Sequence, residues 1–190
     1  MKFRRIILVC IAFTLFACKS KITTNKEVAP KNVILLISDG TGLSQISSAF
    51  YYKESSPNYA RFNNIGLIKT SSSRQDVTDS AAGATAIACG VKTYNGAIGV
   101  DDDSTDVKNL VEIVSSKNIK TGLIATSSIT HATPASFYSH VINRGSAEKI
   151  ASQLVESEID FFAGGGLKFF NNRKDEQNLL KTLNEKKFGN

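Results

Sequence analysis

Residues 77–101 read VTDSAAGATAIACGVKTYNGAIGVD, and we begin from the helix that this stretch predicts at Ser80. Asp79 precedes the serine, and the small residues after it favour a helix with nothing bulky beside the hydroxyl. The unpaired N–H groups and the positive dipole end at a helix start attract anions. Asp and Ser are also common N-cap residues, so two interpretations stand at this point, an ordinary cap and a nucleophile that meets a phosphate.

Apolar runs of strand length lie on both sides of this helix. The first ends just before Asp39, and its uninterrupted apolar character is typical of strands covered on both faces. Strands are predicted over residues 33–37, 65–70, 123–126 and 159–163. Helices are predicted from a cap at Asp106, from about Pro134, over residues 147–155 and over residues 175–187. The alternation predicts an α/β fold, with a parallel-rich central sheet and helices on both faces.

Polar residues follow the predicted strands, at the sheet edge where α/β proteins place their functional groups. Asp39 follows the first strand, where it could cap the next helix or bind a metal ion. Residues 127–133 follow a later strand and bring Thr133 to the same edge. The glycine triplet at 164–166 lacks the lysine and hydroxyl of a Walker loop, so it is read as a turn.

The N-terminus has the features of an export signal. Residues 1–17 combine three basic residues with an apolar run that is too short to span a bilayer. A small residue precedes Cys18, which predicts a lipoprotein signal with acylation of that thiol; a plain signal peptide cleaved nearby is the alternative. Residues 18–30 are polar and predict a tether to the membrane. The expected location is therefore the bacterial periplasm, as an exported or membrane-anchored lipoprotein.

The charge and the cysteine content limit the partners and the disulfides that can be expected. Removal of residues 1–17 takes away three positive charges and lowers the formal net charge from +6 to +3. The remaining lysines are dispersed, so no nucleic-acid partner is expected. Of three cysteines, only Cys89 would remain besides the acylated Cys18, so no intramolecular disulfide is expected and Cys89 is predicted to be a buried structural thiol.

Asp39, Ser80, Thr133 and Arg144 together suggest phosphoryl transfer. A carboxylate can position metal ions, a hydroxyl can attack phosphorus, and a guanidinium can pair with two phosphate oxygens. The four residues together indicate phosphoryl transfer more specifically than any one of them does.

Several of these segments resemble the alkaline phosphatase family. The matching stretches are NVILLISDGTG (residues 32–42), TDSAAGATAIACGVKTYNGAIGVD (78–101), THATPASFYSHVINR (130–144) and DFFAGGGLKFF (160–170). The resemblance implies that residues 31–190 are the N-terminal part of a catalytic domain of that fold. It also implies hydrolysis of phosphate monoesters with Zn and Mg as cofactors, and it leaves a homodimer open.

By this resemblance, Ser80 is the nucleophile that becomes phosphoserine and also a zinc ligand, and Arg144 holds the phosphate. Asp79 helps to orient Arg144. Asp39 bridges magnesium and zinc, and Thr133 is a magnesium ligand. His131 is expected near the magnesium without binding it directly, with a surface histidine as the alternative, and His140 is read as structural.

The sequence departs from the family where the zinc ligands are expected. Two histidines cannot supply the nitrogen ligands that two catalytic zinc ions normally need, so the sequence predicts a fragment that is incomplete at its C-terminal side. A non-catalytic or defective lipoprotein fragment is therefore an alternative function. A phosphodiesterase or sulfatase-type relative is another, although the Asp79-Ser80-Ala81 context with Arg144 favours monoesters.

Overall fold

The computed structural model describes residues 31–186. The predicted signal segment (1–17), the tether (18–30) and Cys18 lie outside the described residues. The chain divides into two units, residues 1–37 and 38–190. The helices and strands of the described residues are α1 Leu43–Tyr52, a 3₁₀ helix Asn58–Arg61, α2 Ser80–Cys89, α3 Leu110–Ser115, β1 Gly122–Ser128, α4 Ala132–Ala135, α5 Ala147–Glu156, β2 Phe161–Gly165, α6 Lys168–Asn171 and α7 Leu179–Glu185.

The described part of the first unit, residues 31–37, contains neither helix nor strand. Its apolar side chains are exposed, with Ile34 and Leu36 both above 80 %. The strand predicted over residues 33–37 is therefore wrong for this structure. A strand needs a hydrogen-bonded neighbour, and the strand pair in the described residues is formed by residues 122–128 and 161–165.

In the second unit, β1 and β2 form a two-stranded parallel sheet. Gly122 lies opposite Phe161 and Ile124 lies opposite Ala163, and the register then shifts before Ser128 meets Gly165. Helix α5 lies between the two strands in the chain, as a parallel connection requires. The predicted strands 123–126 and 159–163 are confirmed within a few residues. The strand predicted over residues 65–70 is wrong, since that segment carries no strand and its apolar side chains are exposed.

Helix α2 is formed by small residues and capped at both ends. Asp79 is its N-cap, and its carboxylate accepts a hydrogen bond from the Ala82 amide at 2.9 Å. Gly90 ends the helix with a left-handed φ of 71°. Alanines of α2 are buried and the helix packs against α4, an approach that larger side chains would prevent.

The core lies around α5. The apolar spacing predicts an inward face of five residues; four of them are buried and the first, Ala147, is only partly buried: Ala147, Ile150, Ala151, Leu154 and Val155. The four buried residues share one apolar cluster with residues of β1's carboxyl end, α4 and α7, among them Ile129, Ala135 and Leu183. The core therefore includes Ile129, which directly follows β1.

The predicted starts of α3 and α4 are corrected. Asn109, not Asp106, caps α3, because Asn109 and Glu112 exchange side-chain and backbone hydrogen bonds in a capping box. Asp106 instead lies in a backbone bridge with Val100. Helix α4 begins at Ala132 and spans four residues, so Pro134 lies within it rather than at its first position.

Helix α7 also starts later than predicted. Asn178 caps it, and residue 175 lies outside it. Asp175 accepts hydrogen bonds from both Nε and Nη2 of Arg173, at 2.8 and 2.5 Å, which holds this segment in a loop. Nowhere in residues 31–186 is there a helix with the length and apolar character needed to cross a membrane.

Cys89 is expected to resist alkylation in the folded protein. Cys89 packs against the core but is only partly buried, not fully buried as predicted. This partial burial still raises the pKa of its thiol to about 11, and the nearby Glu112 carboxylate adds to that effect. At pH 8 only about one molecule in a thousand would carry the reactive thiolate. Mass spectrometry of the peptide that contains Cys89, after iodoacetamide treatment of native and denatured protein, measures this difference. Equal modification in both states would contradict a structural thiol.

Candidate active site

The Asp79 carboxylate is the centre of the candidate site. Besides capping α2, it accepts hydrogen bonds at Oδ2 from the Gly96 amide at 3.0 Å and from Nη1 of Arg144 at 2.9 Å. Burial alone would raise the pKa of Asp79, but the Ala82 amide, Arg144 and the Gly96 amide together hold that pKa below its usual value. Asp79 is therefore ionised and fixed in orientation over a wide pH range.

Arg144 joins Asp79 to the Ser80 hydroxyl. Its Nη1 donates to both Asp79 Oδ2 and Ser80 Oγ, the latter at 3.2 Å. Its backbone N–H donates to the Gly96 carbonyl at 2.8 Å, so both ends of the residue are anchored. The guanidinium is about one third exposed, so it can still meet a ligand.

The structure separates the two interpretations of the helix start. Asp79 performs the capping, while Ser80 is the first residue of the helix and its hydroxyl meets Arg144 instead of the backbone of α2. The serine hydroxyl is thus left beside a guanidinium and at the positive end of a ten-residue helix.

His131 also contacts Arg144, through Nε2 and Nη2 at 3.1 Å. A guanidinium can only donate, so Nε2 of His131 accepts and the ring proton sits on Nδ1. The predicted place of His131 was near magnesium. In the structure its direct partner is Arg144, which the sequence did not indicate.

Asp39 and Thr133 meet at a second point of the site. Thr133 Oγ1 donates to Asp39 Oδ2 at 3.0 Å, although the two residues are 94 positions apart. Asp39 lies in a tight turn that includes Gly40 at a φ of 66°. Gly42, not Asp39, is the N-cap of the following helix α1, so the capping alternative for Asp39 is wrong.

These two oxygens fit a magnesium ion better than zinc. Magnesium prefers carboxylate and other oxygen ligands and usually keeps several waters, so one carboxylate and one hydroxyl are a reasonable protein share. Catalytic zinc normally takes three protein ligands, commonly histidine and carboxylate. Within residues 31–186 no group of three or more His, Cys, Asp and Glu side chains could hold a metal ion, so the described residues do not complete a zinc site.

Two residues that hold the site were not predicted as part of it. The Asn95 side chain accepts from the Asp79 amide at 3.0 Å and donates to the Val77 carbonyl at 2.9 Å. Gly96, at a φ of 91°, turns its amide towards Asp79. The Asn-Gly pair was visible in the sequence as a turn, but the use of that turn to position Asp79 depends on tertiary contacts.

A family model named alkaline phosphatase matches residues 30–188. The chain belongs to the alkaline phosphatase family. Alkaline phosphatase 3 of Bacillus subtilis is 43 % identical over 165 residues, which cover 80 % of this chain and 35 % of that protein. The family resemblance stated from the sequence is confirmed.

Solved alkaline phosphatase structures match the fold. The enzyme of the Antarctic bacterium TAB5 is 68 % identical with a TM-score of 0.83, and the match covers 84 % of this chain and 47 % of that one. A histidine-to-aspartate variant of the same enzyme, with magnesium bound in its M3 site, is 67 % identical with a TM-score of 0.82 and covers 84 % of this chain and 46 % of that one. The α/β fold class is therefore confirmed. The chain spans about a third of the length of the curated relative and just under half of the TAB5 chain.

Proposed function

We propose that this chain carries the nucleophile and the phosphate-binding arginine of an alkaline phosphatase that hydrolyses phosphate monoesters through a phosphoserine at Ser80. One observation carries the proposal: a single guanidinium nitrogen of Arg144 bridges the Ser80 hydroxyl and the Asp79 carboxylate. Membership of the family and likeness to solved alkaline phosphatases support it.

In the proposed reaction, Ser80 Oγ attacks phosphorus while the bond from phosphorus to the substrate's alcohol oxygen breaks. The serine proton leaves to solvent, the alcohol takes up a proton, and a phosphoserine forms. Water then cleaves the bond between phosphorus and Oγ, which releases inorganic phosphate and restores the serine hydroxyl.

The chain's other residues stabilise charge in both steps. Arg144 offers two parallel N–H donors to two non-bridging phosphate oxygens, and Asp79 keeps the guanidinium in place. The first-turn amides and dipole of α2 favour negative charge at Ser80. Donors fixed before the substrate arrives need no rearrangement as charge develops.

Metal binding forms part of the proposal. Asp39 and Thr133 would hold magnesium, which would supply positive charge near the reacting phosphate. The zinc contacts expected of Asp39 and Ser80 need further ligands that residues 31–186 do not provide, and we derive no step from them.

A chimera would test this function. Residues 31–186 would replace the matching part of the TAB5 enzyme, with which they are 68 % identical. We expect hydrolysis of p-nitrophenyl phosphate that is lost on chelation and restored by zinc and magnesium. A folded, metal-loaded chimera without such hydrolysis would contradict the proposal.

A second candidate is a non-catalytic fragment, favoured by the absence of a three-ligand metal cluster from the described residues. The isolated chain, titrated with zinc and magnesium against p-nitrophenyl phosphate, distinguishes the two. Robust zinc-dependent turnover by the isolated chain would exclude the fragment hypothesis. Turnover by the chimera alone would mean that the site residues are competent but need additional ligands.

We also propose export and lipid anchoring through Cys18, with a periplasmic location. The basic and apolar segment before Cys18 supports the anchor. Loss of labelled fatty acid in a Cys18→Ser variant is the expected result, and labelling that persists in that variant would refute acylation at Cys18.

A further inference from the structure

A short backbone ladder carries Arg144 into the site. Ile98 and Val141 exchange two hydrogen bonds, N–H to carbonyl, both at 2.9 Å. Closer to the site, the Arg144 N–H donates to the Gly96 carbonyl at 2.8 Å. The Gly96 N–H also donates to the Asp79 carboxylate. The ladder therefore positions both the backbone of Arg144 and the carboxylate that pairs with its guanidinium.

His140 binds the far end of this ladder. Its Nδ1 lies 2.7 Å from the Gly99 carbonyl oxygen, and its Nε2 lies 3.0 Å from Oε1 of Glu112. A carbonyl and a carboxylate can only accept, so a protonated imidazole donates from Nδ1 to Gly99 and from Nε2 to Glu112, while the Asn109 side-chain amide lies 3.5 Å from Nε2. The side chain is only 15 % exposed.

Helix α5 holds the backbone of His140 in place. Gln153 accepts from the His140 N–H at 3.0 Å and donates to the His140 carbonyl at 3.1 Å. His140 therefore joins three parts of the second unit: its ring meets Glu112 of α3 and Gly99 of the ladder, and its backbone meets Gln153 of α5.

The charged groups around His140 favour its protonated form. The Glu112 carboxylate faces it from α3, and the Asp106 carboxylate acts on it from the segment before α3. Burial alone would lower the pKa of His140, but the Gly99 carbonyl and the two carboxylates raise it overall.

We propose that His140 is a positioning residue for Arg144: its imidazolium clamps the ladder of residues 96–99 and 141–144 against α3 and so fixes the guanidinium over Asp79 and Ser80. Neutral His140 keeps its bond to Gly99 but loses the proton that Glu112 accepts. The clamp on α3 then weakens, and the Arg144 end of the ladder gains freedom. The structural part of this inference stands without the proposed function, while its effect on anion binding depends on it.

Amide resonances of the full chain test the clamp directly. The backbone N–H signals of Gly96 and Arg144 are followed by NMR between about pH 5 and pH 9, along with the imidazole signals of the chain's two histidines. We expect both amides to shift with the midpoint of His140, which His140→Gln assigns by removing one of the two imidazole titrations. Amides that show no inflection at that midpoint would overturn the proposal.

Two further variants sharpen this measurement. Glu112→Gln retains an acceptor for Nε2 but removes the charge, so the His140 midpoint and the amide inflections should move together to lower pH. The glutamine of His140→Gln can still donate to Gly99 but cannot titrate, so the amide inflections at the His140 midpoint should disappear. Glu156→Gln makes the same change at an exposed site on α5 and should alter neither the His140 midpoint nor the amide inflections.

The variants also distinguish positioning from a purely structural role. A structural role alone predicts that Glu112→Gln lowers the melting temperature while the amide inflections stay at their original pH. An amide inflection that remains at the wild-type His140 midpoint in His140→Gln would likewise refute the clamp. If His140→Gln fails to fold, the wild type and Glu112→Gln still decide the question.

Sulfate binding measures the effect on the site, because sulfate keeps its charge over this pH range. We expect sulfate affinity, followed by the Arg144 amide shift, to fall about 5-fold as His140 loses its proton. By reciprocity, sulfate should raise the pKa of His140 by the matching amount. Bound sulfate with pH-independent affinity would contradict the effect on binding. Amide inflections without any sulfate binding would contradict the proposed phosphate site instead, and would leave the clamp intact.

Discussion

Ser80→Ala is expected to abolish phosphoenzyme formation and to lower phosphate monoester hydrolysis by at least about 10³-fold in the TAB5 chimera. Alanine cannot form the covalent intermediate, and within residues 31–186 no other hydroxyl shares the contact with Arg144 Nη1. The fold should be nearly unaffected, because Asp79 performs the capping of α2 and alanine is a better helix former than serine. Acid quenching after incubation with labelled phosphate, followed by peptide mapping, measures the intermediate.

Ser48→Ala is a suitable control for this variant. Ser48 is exposed on α1, where its hydroxyl donates only to the Gln45 carbonyl of the same helix. Labelling should persist in this control at the level of the unmodified chimera. Phosphate that remains covalently bound in Ser80→Ala would show that another residue is the nucleophile.

Gly99→Ala is expected to have the largest effect on stability, a loss of about 3 kcal/mol or more. A Cβ at this position would lie 2.1 Å from the Ser139 carbonyl oxygen and 2.8 Å from His140 Nδ1. The φ of 63° adds strain for any residue with a side chain. Relief of the clash would require the segment at Gly99 to move away from residues 139–140, which would break the hydrogen bond to His140 and pull on the ladder behind Arg144.

Gly90→Ala separates steric crowding from backbone strain. Gly90 has a similar φ of 71°, but a Cβ there would meet no heavy atom within 4 Å. Its expected cost is about 1 kcal/mol, from the left-handed backbone alone. Urea denaturation of both variants gives the comparison, and equal losses of unfolding free energy would contradict the close approach at Gly99.

Local patterns in the sequence predicted several elements well. The helical spacing of apolar residues placed four of the five predicted inward residues of α5 in the core, and β1 and β2 lie where strands were expected. The helical spacing and the apolar runs of strand length each extend over only a few residues, so they specify local structure. Residues 33–37 show the limit of such reasoning, because an apolar run forms a strand only beside a hydrogen-bonded neighbour.

The site was predictable in its members but not in its contacts. Asp79, Ser80 and Arg144 were named from the sequence through a family resemblance, and the structure brings them within hydrogen-bonding distance. The roles of Asn95 and Gly96 were missed because a turn motif does not reveal which side chain its amide will meet. His140 was read as structural from the sequence, and its link to the ladder behind Arg144 was not visible there.

The sequence by itself determined the family, the start of the helix at Ser80 and the residue types available for chemistry. The tertiary structure alone decided that Asp79, not Ser80, caps that helix, and that the second carboxylate oxygen of Asp79 meets Arg144, 65 positions along the chain. Caps and helical faces are encoded by neighbours a few residues apart. A hydrogen bond between distant residues forms only when the packing of intervening segments brings its atoms to about 3 Å, and no local pattern specifies that distance.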